Sequence, residues 1–363
     1  MDHSGRLRWL QAALPENKLD LLLVTHLPNV RYLCGFTGSA GALLVSDRGA
    51  TFFTDGRYIA QARAEVSSAR IVIARKAPFL AAAESLTGPR SGRMGKQVLG
   101  VEGETMPAAV RDRIAALLAS RFKLRSSPPL VERARMVKDV EEIGSIRRAV
   151  EMGARLFPIL RKKIRPGTRE VEVAGAIEYA ARCAGAEGMS FSTIIASGQR
   201  SAVVHGRASE AAIPRCGFVV CDFGVILAGY CSDRTRTVHV GRPSRAARQM
   251  YEAVLEAQRA AIASVRAGVT AGEVDGAARR VLRHWKLARY FTHSTGHGLG
   301  LEIHEAPRLA AAQTQKLEPG MVITIEPGAY IPGKWGVRIE DVVVVTPSGC
   351  EVLAPGDKKL IVI

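Results

Sequence analysis

Four acidic residues interrupt stretches that otherwise read as buried β-strand. One stretch is "CGFVVCDFGVILAGYCSDRTRTVHV", residues 216–240, and the other is "PGMVITIEPGAYIPGKWGVRIEDVVVV", residues 319–345. Each starts at a glycine (Gly217, Gly320) and runs through apolar residues to an acid, Asp222 or Glu326. Each has a glycine two positions later (Gly224, Gly328), then a turn, then a second acid on the return, Asp233 or Glu340. The acids are eleven residues apart in the first stretch and fourteen in the second. This is a weak internal repeat of hairpins, and it predicts two similar halves packed about a pseudo-twofold axis. Four carboxylates would converge near that axis, where they repel one another and are costly to bury without positive charge.

The sequence offers two sources of that charge. Arginines in "DRTRT" and "GVRIED" could form salt bridges, the ordinary explanation for any single acid in a strand. Four acids in matched positions favour metal ions instead. Between the hairpins lies "FTHSTGHGLGLEIHEAPR", with His293, His297 and His304. Oxygen-rich ligands with an imidazole suit a pair of divalent ions better than one tetrahedral zinc. His293 and His297 have the four-residue spacing of the zinc-protease motif, but Ser294 stands where its glutamate belongs. Gly296, Gly298 and Gly300 do not form the dinucleotide-binding G-x-G-x-x-G, and they more simply let backbone pass close to the site. Cys221 and Cys231 sit beside the aspartates, and as small apolar strand residues they are weaker metal candidates.

A chain of 363 residues exceeds what one core usually supports, which predicts two domains. In the first third, apolar runs at 19–25, 41–47, 50–55, 69–74 and 97–104 alternate with helical patterns at 57–66 and 106–122, an α/β layer arrangement. Ser126 to Pro129 form a polar, proline-stiffened break, which places a boundary near residue 130. The expected domains are therefore 1–130 and 131–363. The second opens with an amphipathic helix carrying Ile143, Ile146 and Val150, and later carries a long helix stopped by Gly268. No apolar run reaches membrane-span length, and the N-terminus shows no secretory h-region, so a cytoplasmic location is expected. None of the six cysteines forms a C-x-x-C pair. The net charge of +17 is spread along the chain and aromatics are only 6%, which argues against dedicated nucleic-acid binding.

The pattern resembles the "pita-bread" proline peptidases, the X-Pro aminopeptidases and X-Pro dipeptidases. The motifs that carry the likeness are "GYCSDRTRT", "STGHGLGLEIHEAP" and "ITIEPGAYIPGKWGVRIED". "NVRYLCGFTGSAGALLV" and "FFTDGRY" resemble the creatinase-type N-terminal domain, so the likeness spans nearly the whole chain. It implies an α/β creatinase-like domain followed by an α+β pita-bread domain. It also implies a metal set of Asp222, Asp233, His297, Glu326 and Glu340, all present. Asp222 would serve one ion, His297 and Glu326 the other, with Asp233 and Glu340 bridging. The ions would be two per chain, manganese first, with cobalt or zinc as alternatives.

Two such ions lower the pKa of bound water, and Glu326 is the expected general base that passes its proton to the leaving nitrogen. His304 and His205 take the substrate-contacting positions, His304 as donor to the tetrahedral oxyanion. Arg338 is expected to hold the bridging carboxylate or the substrate. His293, Arg308 and Phe191 are further substrate-contact candidates, Arg308 for a C-terminal carboxylate and Phe191 for a proline pocket. Short proline-containing peptides are the expected substrates and a homodimer the expected assembly. The compact N-terminal domain and lack of insertions tilt the reading toward aminopeptidase. A dipeptidase is the alternative, and a non-catalytic peptide-binding module the remaining one.

Overall fold

The computed structural model describes residues 1–88, 97–118 and 121–363. The chain divides into two compact units, Met1–Arg135 and Met136–Ile363. The boundary expected near residue 130 coincides with the start of a short helix, Leu130–Met136, that runs through the division.

The first unit is built on one six-stranded mixed sheet. Its strands run in the order Arg70–Ala74, Gly49–Asp55, Ala42–Ser46, Leu21–Val24, Gln97–Glu102, Phe122–Ser127. The five strands expected from apolar runs are all here; the sixth overlaps the stretch read as a polar break. It pairs in parallel with Gln97–Glu102, Ser127 opposite Glu102. Polar residues are tolerated there because an edge strand has one neighbour and a wet side. The helix expected over 106–122 spans Ala108–Leu118; its residues 119–120 lie outside the described ones. Buried in this unit is Glu102, whose carboxylate accepts from Thr25 N, Thr25 Oγ1, His26 N and Asn29 Nδ2 at 2.7–3.2 Å. A buried acid can thus be served by neutral donors alone, which sets a standard for the acids of the second unit.

The second unit repeats one plan twice. In its first half the helices Val140–Lys163 and Glu170–Cys183 cover a sheet containing Ile194–Ser197, Gly217–Asp222 and Thr235–Val240, over a core that includes Ile177, Val219, Phe223 and Val238. In the second half Arg245–Ser264 and Ala271–His284 cover a sheet containing Gly296–Gly298, Val322–Ile325 and Asp341–Val345, over Val254, Val274, Ile323 and Val343. A smaller cluster including Ile146, Tyr230, Leu299, Val322 and Val344 joins the halves. Capping boxes fix two of the helix starts: Asp139 with Glu142, and Thr270 with Glu273. The helix expected to stop at Gly268 ends four residues earlier, at Ser264. Val265 turns extended and buries its side chain, and Gly268 then takes a left-handed turn at φ 83°.

Candidate metal centre

Strand pairing in each hairpin is interrupted at its acids, and the two hairpins differ in register. In the first, Asp222 pairs with Thr235 and ends its strand, and Asp233 lies two residues beyond on the return. In the second, pairing runs through Ile325 and Asp341, then resumes at Gly328 and Arg338, so Glu326 and Glu340 face each other across the gap. Breaking the ladder at the acids frees backbone groups for partners outside their own hairpin, one of them in the other half. The Glu340 amide donates to Thr235 O at 3.2 Å, and the Glu326 amide to Thr295 O at 2.8 Å.

Asp222, Asp233 and Glu340 are brought together with one oxygen each inside a common span of 4.8 Å. All three are buried, and one carboxylate oxygen of each (Asp222 Oδ1, Asp233 Oδ1, Glu340 Oε1) has no hydrogen-bond partner. This is the reverse of Glu102, and such orphaned oxygens call for a cation. His297 completes the cluster. Its Nδ1 lies 3.0 Å from Gly298 O, leaving Nε2 to face Glu326 Oε1 at 3.3 Å and Asp233 Oδ2 at 3.6 Å. A backbone carbonyl on the far nitrogen is how metal-ligating imidazoles are oriented. Donor type, burial and unmet oxygens all fit divalent ions, which Asp222, Asp233, His297, Glu326 and Glu340 are placed to hold.

The side chains' own charges show the same strain. Burial, then the charges of Glu326 and Asp222, push Glu340 up to about 8. Burial and the neighbouring acids Glu340 and Asp222 push Asp233 well above the carboxylate range. Burial also raises Asp222, against the pull of Arg338. Glu326 goes the other way. Burial opposes its charge, but the hydrogen bond and charge of His297 outweigh it and hold it near about 2. Burial likewise opposes a charged His297, and Glu326 overrides this to hold it at about 9. Too much negative charge shares one dry space.

The arginine alternative is largely excluded. Arg236 spends itself on Asp341 at 2.7 Å and on the Glu340 carbonyl. Among the arginines of the described residues only Arg338 meets a cluster acid, and that acid is Asp222, where the sequence reading has Arg338 holding a bridging carboxylate or the substrate. Arg338 ends the hairpin Gly328–Ile331/Trp335–Arg338, and its guanidinium reaches the end of Gly217–Asp222. Its other donors reach Thr235 Oγ1 at 3.1 Å, Val204 O at 3.0 Å and Tyr330 Oη at 2.8 Å.

Tyr330 Oη lies 2.9 Å from His293 Nε2, and His293 Nδ1 lies 2.8 Å from Ser294 O. Both nitrogens of His293 are therefore occupied, and burial favours its neutral form. His293, expected to touch substrate, is half-buried and ends a chain of contacts, Asp222–Arg338–Tyr330–His293. Sequence reasoning missed Tyr330, though it stands four residues after Glu326 in a quoted motif. It also missed Thr235, whose Oγ1 donates to Glu340 Oε2 at 2.8 Å, and Asp275, which accepts from Thr295 Oγ1 at 2.8 Å. A hydroxyl on a strand or an acid on a helix gives no sign of its tertiary partner.

The remaining candidates sit around this cluster. The rings of His304 and His297 stand 4.5 Å apart, and His304 is exposed. His205 is exposed beside Val204, the residue whose carbonyl Arg338 holds. Arg308 is exposed and pairs directly with His297 across neighbouring strands. Phe191 is half-buried, three residues ahead of Ile194, which pairs with Asp222. Cys221 and Cys231 are buried as small core residues. The glycines earn their place by backbone contact: a Cβ on Gly296 would lie 1.9 Å from Thr324 O, and one on Gly298 2.2 Å from Ala306 O.

Two matched halves meeting at buried carboxylates and one imidazole define a metal-dependent hydrolytic centre. Comparison with known proteins agrees: residues 144–347 match metallopeptidase family M24, and residues 6–137 match the creatinase/prolidase N-terminal domain. The chain belongs to metallopeptidase family M24. It is 36% identical over 349 residues to the Xaa-Pro dipeptidase of Pyrococcus horikoshii, covering 96% of each chain. The solved structure of a Xaa-Pro dipeptidase from Bacillus anthracis is similar at TM-score 0.93 and 40% identity, covering 100% of this chain and 99% of that one. An X-Pro aminopeptidase structure from Thermotoga maritima is similar at TM-score 0.88 and 35% identity, covering 100% of both. Among the described residues, no helix is long and apolar enough to cross a membrane.

Proposed function

We propose that the chain is a dinuclear metal-dependent exopeptidase that hydrolyses X-Pro dipeptides. The observation that carries the metal reading is the set of three buried, partnerless carboxylate oxygens within 4.8 Å, with His297 Nε2 facing the same space. Asp222 would serve one ion and His297 and Glu326 the other, with Asp233 and Glu340 available to both. Two divalent ions, manganese first, supply an acidified water and polarise the scissile carbonyl when bound.

The chain's own groups do the rest. Glu326 takes the proton of the attacking water on its carboxylate and delivers it to the proline nitrogen, which as a tertiary amide has no hydrogen of its own. His304 donates to the oxygen that gains charge, and His205 contacts the substrate from the rim. Arg308, opposite His297, pairs with the dipeptide's terminal carboxylate. Likeness to named dipeptidases over nearly the full chain supports the dipeptide limit, replacing the aminopeptidase reading favoured from sequence.

The aminopeptidase reading keeps one support, the full-length similarity to the Thermotoga maritima structure. Hydrolysis of X-Pro and X-Pro-Y side by side, after metal stripping and manganese addition, separates the two. Cleavage of the dipeptide alone is expected; cleavage of the tripeptide makes the enzyme an aminopeptidase. Silence on both peptides with every divalent metal removes the catalytic reading.

A further inference from the structure

The loop that carries His205 is held by a residue with no part in the metal cluster. Glu170 begins the helix Glu170–Cys183 and is fully buried. Its carboxylate collects five donors from the two ends of the segment 197–209. Ser197 N and Oγ donate to Oε1 at 2.7 and 2.9 Å. Ser209 N and Oγ donate to Oε2 at 3.2 and 2.8 Å, and Arg200 Nε donates to Oε2 at 3.0 Å. Arg200 Nη2 then reaches across the loop to Arg207 O at 2.8 Å. Farther along, Ser201 Oγ accepts from Gly336 N at 2.8 Å, and Val204 O accepts from Arg338 Nη1 at 3.0 Å.

The loop is thus tied at its base by Glu170, at its middle by the hairpin Gly328–Ile331/Trp335–Arg338, and next to His205 by the arginine that also holds Asp222. We infer that Glu170 is a positioning residue for the reaction: it staples the two ends of the loop so that His205 stands at a fixed distance from the metal cluster. A carboxylate only accepts, so both of its oxygens can face donors, whereas a carboxamide of the same shape turns an NH2 toward donors that cannot accept it. The inference rests on the role given to His205 under the proposed function.

The test is a double-mutant cycle on the full-length, metal-loaded enzyme with an X-Pro dipeptide, using Glu170→Gln and His205→Ala. Glu170→Gln is expected to leave bound metal unchanged and to lower kcat/KM by about 10²-fold, the cost of misplacing a contact group by about 1 Å. In that background, His205→Ala should cost little more, because the histidine is already out of place. Amide hydrogen exchange should quicken in 197–209 ahead of the rest of the unit. Arg200→Met, a change at a partly exposed site, should give a smaller loss of the same kind if Glu170→Gln fails to fold. Full additivity of the two losses, or unchanged exchange in the loop, overturns the staple while leaving the peptidase reading intact. A silent His205→Ala in the otherwise native enzyme overturns the role of His205 itself, and the positioning role with it.

Discussion

The two halves of the catalytic unit share a plan but not a register. The first staggers its acids, with Asp222 opposite Thr235; the second sets Glu326 opposite Glu340. Each half also holds the other's acid. Arg338 of the second hairpin secures Asp222 of the first, and Thr235 of the first donates to Glu340 of the second. Neither hairpin alone could keep its carboxylates buried. The difference teaches that the centre is a property of the seam. A charge-assisted bond crosses one way and a neutral hydroxyl the other, so the halves should respond unequally to parallel changes.

The largest effect is expected from removing a shared acid. Glu340→Ala should abolish metal binding at one position or both, and peptidase activity with it, while circular dichroism stays native. Metal analysis beside an activity assay checks this, and an active variant refutes a dinuclear centre. Next comes Arg338→Met, which leaves Asp222 buried without its cation. A loss of about 3–5 kcal/mol in denaturant unfolding of metal-free protein is expected. Thr235→Val removes the neutral crossing bond and should weaken metal affinity by about 10–100-fold with less effect on stability. Equal losses from Arg338→Met and Thr235→Val in both assays would erase the asymmetry between the halves.

The smallest effect is a change of slope with pH. Glu340 is raised from an ordinary 4.5 to about 8, so folding favours its protonated form. Its contribution to the stability of metal-stripped protein is present below 4.5 and is lost as pH rises through about 8. Metal binding needs the deprotonated acid, so added manganese should stabilise more at higher pH across this window. Thermal melts with and without metal should diverge as pH rises; parallel curves would remove Glu340 from the ligand set.

Much of this was legible before any coordinates. Apolar runs marked five strands of the first unit, most plainly the buried Leu21–Val24 and Ala42–Ser46, since a strand covered on both faces reads as a continuous apolar run. The sixth, Phe122–Ser127, escaped because an edge strand can be polar. The metal-centre acids were visible for the opposite reason: carboxylates in apolar strands contradict their surroundings, and contradictions of this kind mark sites. Tyr330, Thr235 and Asp275 contradicted nothing, so nothing in the sequence singled them out. His293 was expected to contact substrate; that both of its nitrogens meet Tyr330 Oη and Ser294 O is not visible in the residues beside it.

The sequence by itself determined the repeat, the strands and the acids, since periodicity and residue type are local and survive translation into one dimension. Only the tertiary structure decided which acid meets which cation, how the loop before His205 is tied, and that the cluster's carboxylate oxygens are left partnerless. Those are facts about distances between residues a hundred positions apart, such as Arg338 and Asp222, and no local pattern encodes them.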